Sequence, residues 1–326
     1  MQRVEFSLFD AAYNLALEET LFDCLPVDHP GYFILWQNKP VVIIGRNQLH
    51  QQCAHMNFAK QEGIKILRRN TGGGAVYQDL GNLNYSFIAW ERNPQAQVQY
   101  YLEKIKKTLN FLKFPVFFSG RNDLEIHGKK FSGCSQLRKE GKLLLHGTLL
   151  INCDLEKMNK ILKVDESKFK SKGVASQRAR TMNLADFYPI DLEKIKACLF
   201  KTCASFQTGI DANMYTRAED LVQSKYYTKG WNYEKSPPAA LNKQKRFSWG
   251  EICILAEIKA GKLADFQLRG DIINLQELEE IEKKFIGQSF DPESIKRICE
   301  QISWPDYIYA ASSEELNKFL VDELFE

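Results

Sequence analysis

Three consecutive glycines, Gly72, Gly73 and Gly74, constrain this chain more than any other stretch. They follow Arg68, Arg69, Asn70 and Thr71, and they separate two strand-like runs, one holding Ile64, Ile66 and Leu67 and the other Tyr85 to Phe87. Glycine has no Cβ, so a ligand can lie directly against the backbone and its N–H groups. The two guanidiniums just before supply forked positive charge suited to a carboxylate or a phosphate. The combination predicts a site that grips an anion through backbone and arginine; a glycine-rich hairpin with solvated arginines is the plain alternative. Known phosphate loops do not fit. No Gly-Lys-Ser/Thr ending is present and no helical pattern follows Gly74, so neither the P-loop nor the dinucleotide fingerprint applies.

At 326 residues the chain has room for a large domain and a smaller one. Its 44 Lys and Arg against 41 Asp and Glu leave a net charge of only +3, which gives no reason to expect nucleic acid as a partner. The 8 cysteines are scattered without a Cys-x-x-Cys pair, which argues against zinc and against a disulfide framework. Met1 to Phe6 contain no apolar signal core, and no later run reaches membrane-spanning length. A cytoplasmic protein with reduced cysteines and no membrane partner is expected.

Along the chain, Asp10 reads as the cap of a helix reaching about Cys24, a core-packing element. Tyr32–Trp36 and Val41–Gly45 read as buried strands joined by the Asn38-Lys39-Pro40 turn, with Arg46 at the second strand's end. A helix is predicted from about Pro94 to Leu112. Gly120 to Ser135 reads as strand, His127-Gly128 turn and strand, and Leu143 to Ile151 as a central strand. The basic stretch Lys163 to Arg180 predicts a surface loop, and helices follow at about 191–205 and 216–227. Residues 236–246 have linker composition, Ser-Pro-Pro followed by a basic polar run, dividing a domain of residues 1–235 from one of 247–326. The second domain shows a hairpin around Ala260-Gly261-Lys262 and helices opening at Asp291-Pro292 and at the capping box Ser312-x-x-Glu315. It contains no histidine.

Arg68-Arg69-x-Thr71-Gly72-Gly73-Gly74-Ala75-Val76-Tyr77-x-Asp79, followed by Gly81-Asn82-Leu83-Asn84-Tyr85-Ser86-Phe87, closely resembles the signature of the lipoate–protein ligases. The opening helix, Gly120–Ser135, His146–Leu150 and Lys172–Leu184 resemble further family segments in the same order. The resemblance implies an α+β fold: a mixed β-sheet catalytic domain of the biotin/lipoate ligase type with flanking helices, plus a small α/β accessory domain. It implies activation of lipoate by ATP with Mg²⁺, giving lipoyl-adenylate and pyrophosphate. The lipoyl group then passes to a lysine of an apo carrier domain, an E2 subunit of a 2-oxoacid dehydrogenase or the glycine cleavage H protein. A monomer is expected.

Adenylation brings two anions together, so positive charge and oriented donors are needed where charge builds up. By resemblance Lys130 is the catalytic residue, bridging the carboxyl oxygen and the α-phosphate, and Lys129 points away because side chains alternate along a strand. Arg69 steadies the activated carboxyl or its phosphate. Gly72, Gly73, Gly74, Ala75, Val76 and Tyr77 border the adenylate, with Asp79 nearby. Asn122 and Asp123 bind nucleotide, Asp123 with a possible role in holding Mg²⁺ or in capping a turn. Ser132, Gly133, His146, Gly147 and Thr148 complete the pocket, and Lys172 and Arg178 belong to a loop that covers the anhydride. Gln78 stands where many relatives carry histidine and cannot act as a base. Two alternatives remain open: an ATP-independent octanoyl or lipoyl transferase using Cys134 as nucleophile, and a non-catalytic scaffold that binds lipoate or carrier domains. Biotin is the nearest alternative substrate.

Overall fold

The structure, a computed structural model, describes residues 1–48, 53–119, 123–163, 181–189, 191–207, 210–234, 241–259, 262–270, 275–290, 292–308 and 310–323. Asn122, Lys172, Arg178 and most of the expected covering loop therefore lie outside the described residues. Among those described, no helix is long and apolar enough to cross a membrane.

The α+β expectation holds. A mixed eight-stranded sheet runs in the order β11-β1-β2-β6-β10-β9-β8-β7. Its strands are β1 (Gln2–Glu5), β2 (Tyr32–Trp36), β6 (Asn82–Trp90), β7 (Phe117–Ser119), β8 (Asp123–Ile126), β9 (Lys129–Lys139), β10 (Lys142–Leu150) and β11 (Phe206–Gln207). A second sheet places β3 (Val41–Ile44) between parallel β4 (Lys65–Arg68) and antiparallel β5 (Val76–Gln78). The predicted turn is a tight hairpin: His127 and Gly128 have φ of 50° and 74°, the left-handed pair that a two-residue β8–β9 connection requires.

Alternation along the strands divides the core in two. In β2, Tyr32, Ile34 and Trp36 join one buried apolar cluster, and Phe33 and Leu35 join the other. Both faces of the sheet are therefore covered, which is why these strands read as unbroken apolar runs. The first helix, Ala11–Asp23, packs on the first face, its start fixed by the Asp10 carboxylate accepting from the Tyr13 N–H at 3.0 Å. The helix Pro94–Phe111 closes the second face with Leu102, Ile105 and Leu109.

After the helix Ala212–Leu221 come two π-helical turns, Val222–Tyr226 and Gly230–Glu234. The C-terminal module then forms a three-stranded antiparallel sheet, β12 (Leu241–Phe247), β13 (Gly250–Lys259) and β14 (Lys262–Gly270), covered by helices including Leu275–Phe285 and Pro292–Cys299. One expectation is corrected here. Leu241 to Arg246, read as the second half of a linker, pair with β13 from Leu241↔Ala256 to Phe247↔Gly250. Lysine and polar side chains disguise this strand because it lies at a sheet edge, where lysine blunts pairing with other chains. Lys243 and Lys245 are half-buried, and the Lys245 ammonium lies over the Phe247 and Phe319 rings.

Arg68 joins the glycine-rich segment to the π-helical turn that precedes the module. Its guanidinium, on a residue only 1 % exposed, donates to the carbonyls of Gly45, Arg46, Gln48, Trp231 and Asn232 at 2.7–3.2 Å. The Trp231 indole N–H returns a bond to the Arg68 carbonyl at 2.9 Å. Burial brings the Arg68 pKa down to about 10, yet the group stays charged at neutral pH. Replacing it by methionine leaves several buried carbonyls without a donor, at a cost of about 3 kcal/mol. Calorimetry of Arg68→Met should show a melting temperature about 5 °C or more below wild type; an unchanged value would contradict this bracing role.

Candidate active site

Two polar rows cross the first face of the sheet, where apolar side chains would otherwise sit. In one, Ser86, His146 and Ser135 stand opposite one another on β6, β10 and β9. In the next, Asn84, Thr148, Gly133 and Asp123 do so on β6, β10, β9 and β8. Directly opposed residues point to the same face, so strand register alone assembles this floor.

Lys130 reaches back over Gly133 and meets Asp123, Nζ to Oδ1 at 2.8 Å, with side-chain exposures of 44 % and 36 %. A Cβ on Gly133 would lie 3.0 Å from that Nζ, so the glycine makes room for the pair. Thr181 bridges to Lys130, and the Met182 N–H donates to the Lys130 carbonyl at 3.0 Å. Lys129 is exposed, as predicted.

The glycine loop leans on the same floor. Thr71 Oγ1 lies 2.8 Å from Ser135 Oγ and 2.7 Å from His146 Nε2. A Cβ on Gly73, whose φ is +85°, would sit 3.6 Å from Ser135 Cβ. Gly45 must be glycine because a Cβ there would fall 2.1 Å from the Gly73 carbonyl oxygen. Gly74 alone of these faces open space, with nothing within 4 Å of a built Cβ. It is the part of the cradle a ligand can approach.

The arginines behave differently from the expectation. Arg69 is buried and its guanidinium lies under the loop, donating to Thr71 Oγ1 at 2.9 Å and to the carbonyls of Ile43, Gly72 and Gly74 at 3.2, 2.5 and 2.8 Å. Both arginines of the motif hold the loop's shape.

His146 is wired into a buried network. Its Nδ1 faces Glu18 at 3.0 Å and its Nε2 faces Ser135 Oγ at 3.0 Å as well as Thr71. Glu18 also accepts from the Ser86 hydroxyl, which accepts from the Trp36 indole at 3.0 Å. A carboxylate only accepts, so Nδ1 donates to Glu18, and Nε2 faces the two hydroxyls. The resulting chain, from Trp36 through Ser86, Glu18 and His146 to the two hydroxyls, locks the floor beside the glycine loop.

Several predicted residues serve the fold. Gly147 and Cys134 oppose each other and point to the second face: a Cβ on Gly147 would meet the Tyr85 hydroxyl at 2.3 Å, and Cys134 packs against the apolar cluster there. Ser132 is 2 % exposed beside that same hydroxyl. Asp79 accepts from the N–H groups of Gly81 and Asp154 at 2.8 and 2.9 Å, and Tyr77 is buried against it. Ala75 and Val76 pack against the two apolar clusters. Gln78 belongs to a buried amide relay, accepting from Asn38 at 2.7 Å and donating to Asn84 at 2.8 Å.

Sequence reasoning missed Glu18, Thr71, Ser86 and Ser135. A signal existed for two of them. Glu18 recurs four residues after the buried Asn14 on an Ala/Leu helix face, and Ser86 follows Asn82 and Asn84 at alternate positions of a strand otherwise apolar.

A family model described as the lipoyl protein ligase A/B catalytic domain matches residues 10–204, and one for the bacterial lipoate protein ligase C-terminus matches residues 236–320. Lipoate–protein ligase 1 of Staphylococcus aureus is 30% identical over 322 residues, covering 96% of this chain and 98% of its own. The crystal structure of P. falciparum LipL1 in complex with lipoate superposes on 98% of this chain and 99% of its own, with a TM-score of 0.81 at 22% identity. A lipoate–protein ligase A bound with ATP covers 71% of this chain and 98% of its own, with a TM-score of 0.64 at 24% identity. Those structures establish a shared fold, and the sequence matches establish descent: the chain belongs to the lipoate–protein ligase family.

Proposed function

We propose that this chain joins lipoate to ATP and hands the lipoyl group to a lysine of a small carrier domain, with Lys130 as the catalytic cation. The carboxylate oxygen attacks the α-phosphorus and pyrophosphate departs with the broken bond's electrons. The carrier amine then attacks the acyl carbon, loses a proton, and AMP leaves. Both steps gather negative charge at one point, and a positioned ammonium is worth most there because it needs no reorganisation.

The observation that carries this reading is the Lys130–Asp123 contact above Gly133, on the same face as the open Gly74 backbone. Strand β9 rises about 3.3 Å per residue, so Gly133 lies roughly 7 Å from Ser135, which touches the glycine loop. Asp123 restrains the ammonium while leaving both groups accessible. Arg69, Thr71 and the Glu18–His146 pair act through the loop and floor they hold in place. Relatives bound to lipoate and to ATP support both substrates. Among the described residues no group of three or more His, Cys, Asp or Glu is gathered that could hold a resident metal. A single carboxylate at Asp123 fits Mg²⁺ carried in on nucleotide phosphates; the metal would then neutralise phosphate charge.

The transferase alternative meets two obstacles. Cys134 points to the face away from Lys130, and burial, with the Asp123 carboxylate second, pushes its thiol from 9.0 up to about 12. A thiol held protonated is a poor nucleophile.

Lipoate-dependent exchange of labelled pyrophosphate into ATP tests the reading. Wild type should show it, Lys130→Ala should lose on the order of a thousandfold or more, and Cys134→Ser should retain it. No exchange in any form would leave a scaffold or the ATP-independent thioester transferase, and lipoyl transfer kept by Lys130→Ala but lost in Cys134→Ser would establish the latter. A separate check is alkylation of Cys134 by iodoacetamide, followed by peptide mass. At pH 8 its rate should fall on the order of a thousandfold below that of an unhindered cysteine and climb about tenfold per pH unit. Rapid labelling at pH 8 would show an activated thiol.

A further inference from the structure

Among the described arginines around the glycine loop, Arg46 is the one whose guanidinium the fold leaves uncommitted. Arg68 and Arg69 give their guanidiniums to backbone carbonyls, whereas among the described residues none accepts a hydrogen bond from the Arg46 guanidinium. The neighbouring Asn47 Nδ2 is buried and likewise has no partner among the described residues. Unsatisfied buried donors are rare in folded proteins and call for a ligand or a water.

The segment that presents them is built to be rigid. Gly45 N–H donates to Gln48 Oε1 at 2.9 Å, Gln48 N–H to the Gly45 carbonyl at 3.1 Å, and Arg68 holds the carbonyls of Gly45, Arg46 and Gln48. The Arg46 N–H donates to the Thr71 carbonyl at 2.8 Å, so the turn moves with the glycine loop. Charges around Arg46 are already engaged or remote. Glu19 accepts from Lys225 at 2.7 and 2.8 Å and from the Tyr226 hydroxyl, Arg269 pairs with Glu282 at 2.8 Å, and Glu279 is exposed on the module's helix. Desolvation lowers the Arg46 pKa, and the Glu279 and Glu19 carboxylates offset this only in part.

A half-buried cation, beside an orphaned amide and on a turn tied to the glycine loop, is arranged for an anion that arrives from outside. Lys130 stands on β9 and Arg46 follows the end of β3, its backbone N–H bonded to Thr71 of the loop. The lipoate carboxylate and the α-phosphate must meet at one point, whereas a triphosphate carries charge at separated points. We infer that Arg46 and Asn47 bind the β- and γ-phosphates of ATP, the portion that leaves as pyrophosphate; this deepens, and rests on, the adenylation reading above.

The test uses the full chain with Arg46→Ala, Arg46→Lys and Asn47→Ala, and compares the two half-reactions. The KM for ATP in pyrophosphate exchange should rise at least about tenfold for Arg46→Ala, with partial recovery in Arg46→Lys, because charge-assisted bonds to phosphate are lost. Transfer from chemically synthesised lipoyl-adenylate to an apo carrier domain involves no pyrophosphate and should stay within about threefold of wild type. Calorimetric titration with inorganic pyrophosphate should show affinity weakened about tenfold by Arg46→Ala and less by Asn47→Ala. Equal loss in both half-reactions, or unchanged pyrophosphate affinity, would overturn the assignment by making Arg46 merely structural. A wild-type protein that shows no exchange but still binds pyrophosphate through Arg46 would sink adenylation and leave the anion site standing.

Discussion

A buried guanidinium with no carboxylate partner underlies this site. Arg68 is enclosed in the protein, and five carbonyl oxygens from two distant segments replace its water. Burying a charge is tolerable only when hydrogen bonds replace its hydration, and each carbonyl so used is fixed in turn. The segment Gly45–Gln48, the strand before the glycine loop and the turn Gly230–Glu234 thereby become one rigid piece. Arg69 extends the same device inward and folds Gly72, Gly73 and Gly74 over itself. Positive charge in the motif thus makes the cradle, and other cations remain to meet the substrates.

Strand parity does the rest. On β9 and β10 the odd and even residues serve different masters: Gly133, Ser135, His146 and Thr148 face the loop, while Cys134 and Gly147 face the apolar layer under the long helix. A one-residue slip would exchange these faces and turn the Cys134 thiol toward the glycine loop. Gly81 shows the same close fit at a loop, since a Cβ there would lie 2.0 Å from the Asn152 carbonyl oxygen.

Much of this was legible in the sequence where the cause was local. The Asp10 cap, the buried strands β2 and β3, the His127-Gly128 hairpin and the position of Lys130 follow from patterns a few residues long. Roles set by distant partners were not. The acceptors of Arg68 include Trp231 and Asn232, about 160 residues away, so nothing beside the arginine reveals that it is a brace. Asp79 resembles a pocket acid because its two N–H donors, Gly81 and Asp154, come together only in the fold. Asn70 likewise has a distant partner: it accepts from the Lys225 ammonium at 2.7 Å, which also holds Glu19. Leu241–Arg246 hid an edge strand behind linker composition. Glu18 was masked by its helix, whose core-packing character is real and whose buried acid serves His146.

The account stands on one electrostatic arrangement: an ammonium above Gly133 and an open peptide at Gly74, facing each other where two anions are brought together. A crystal structure with a sulfamoyl analogue of lipoyl-adenylate tests it most directly. The acyl-sulfamate bridge should lie about 3 Å from Lys130 Nζ and against the Gly74 backbone, on the His146 side of the sheet. Density for the bridge on the Cys134 side, or out of reach of the Lys130 ammonium, would contradict it.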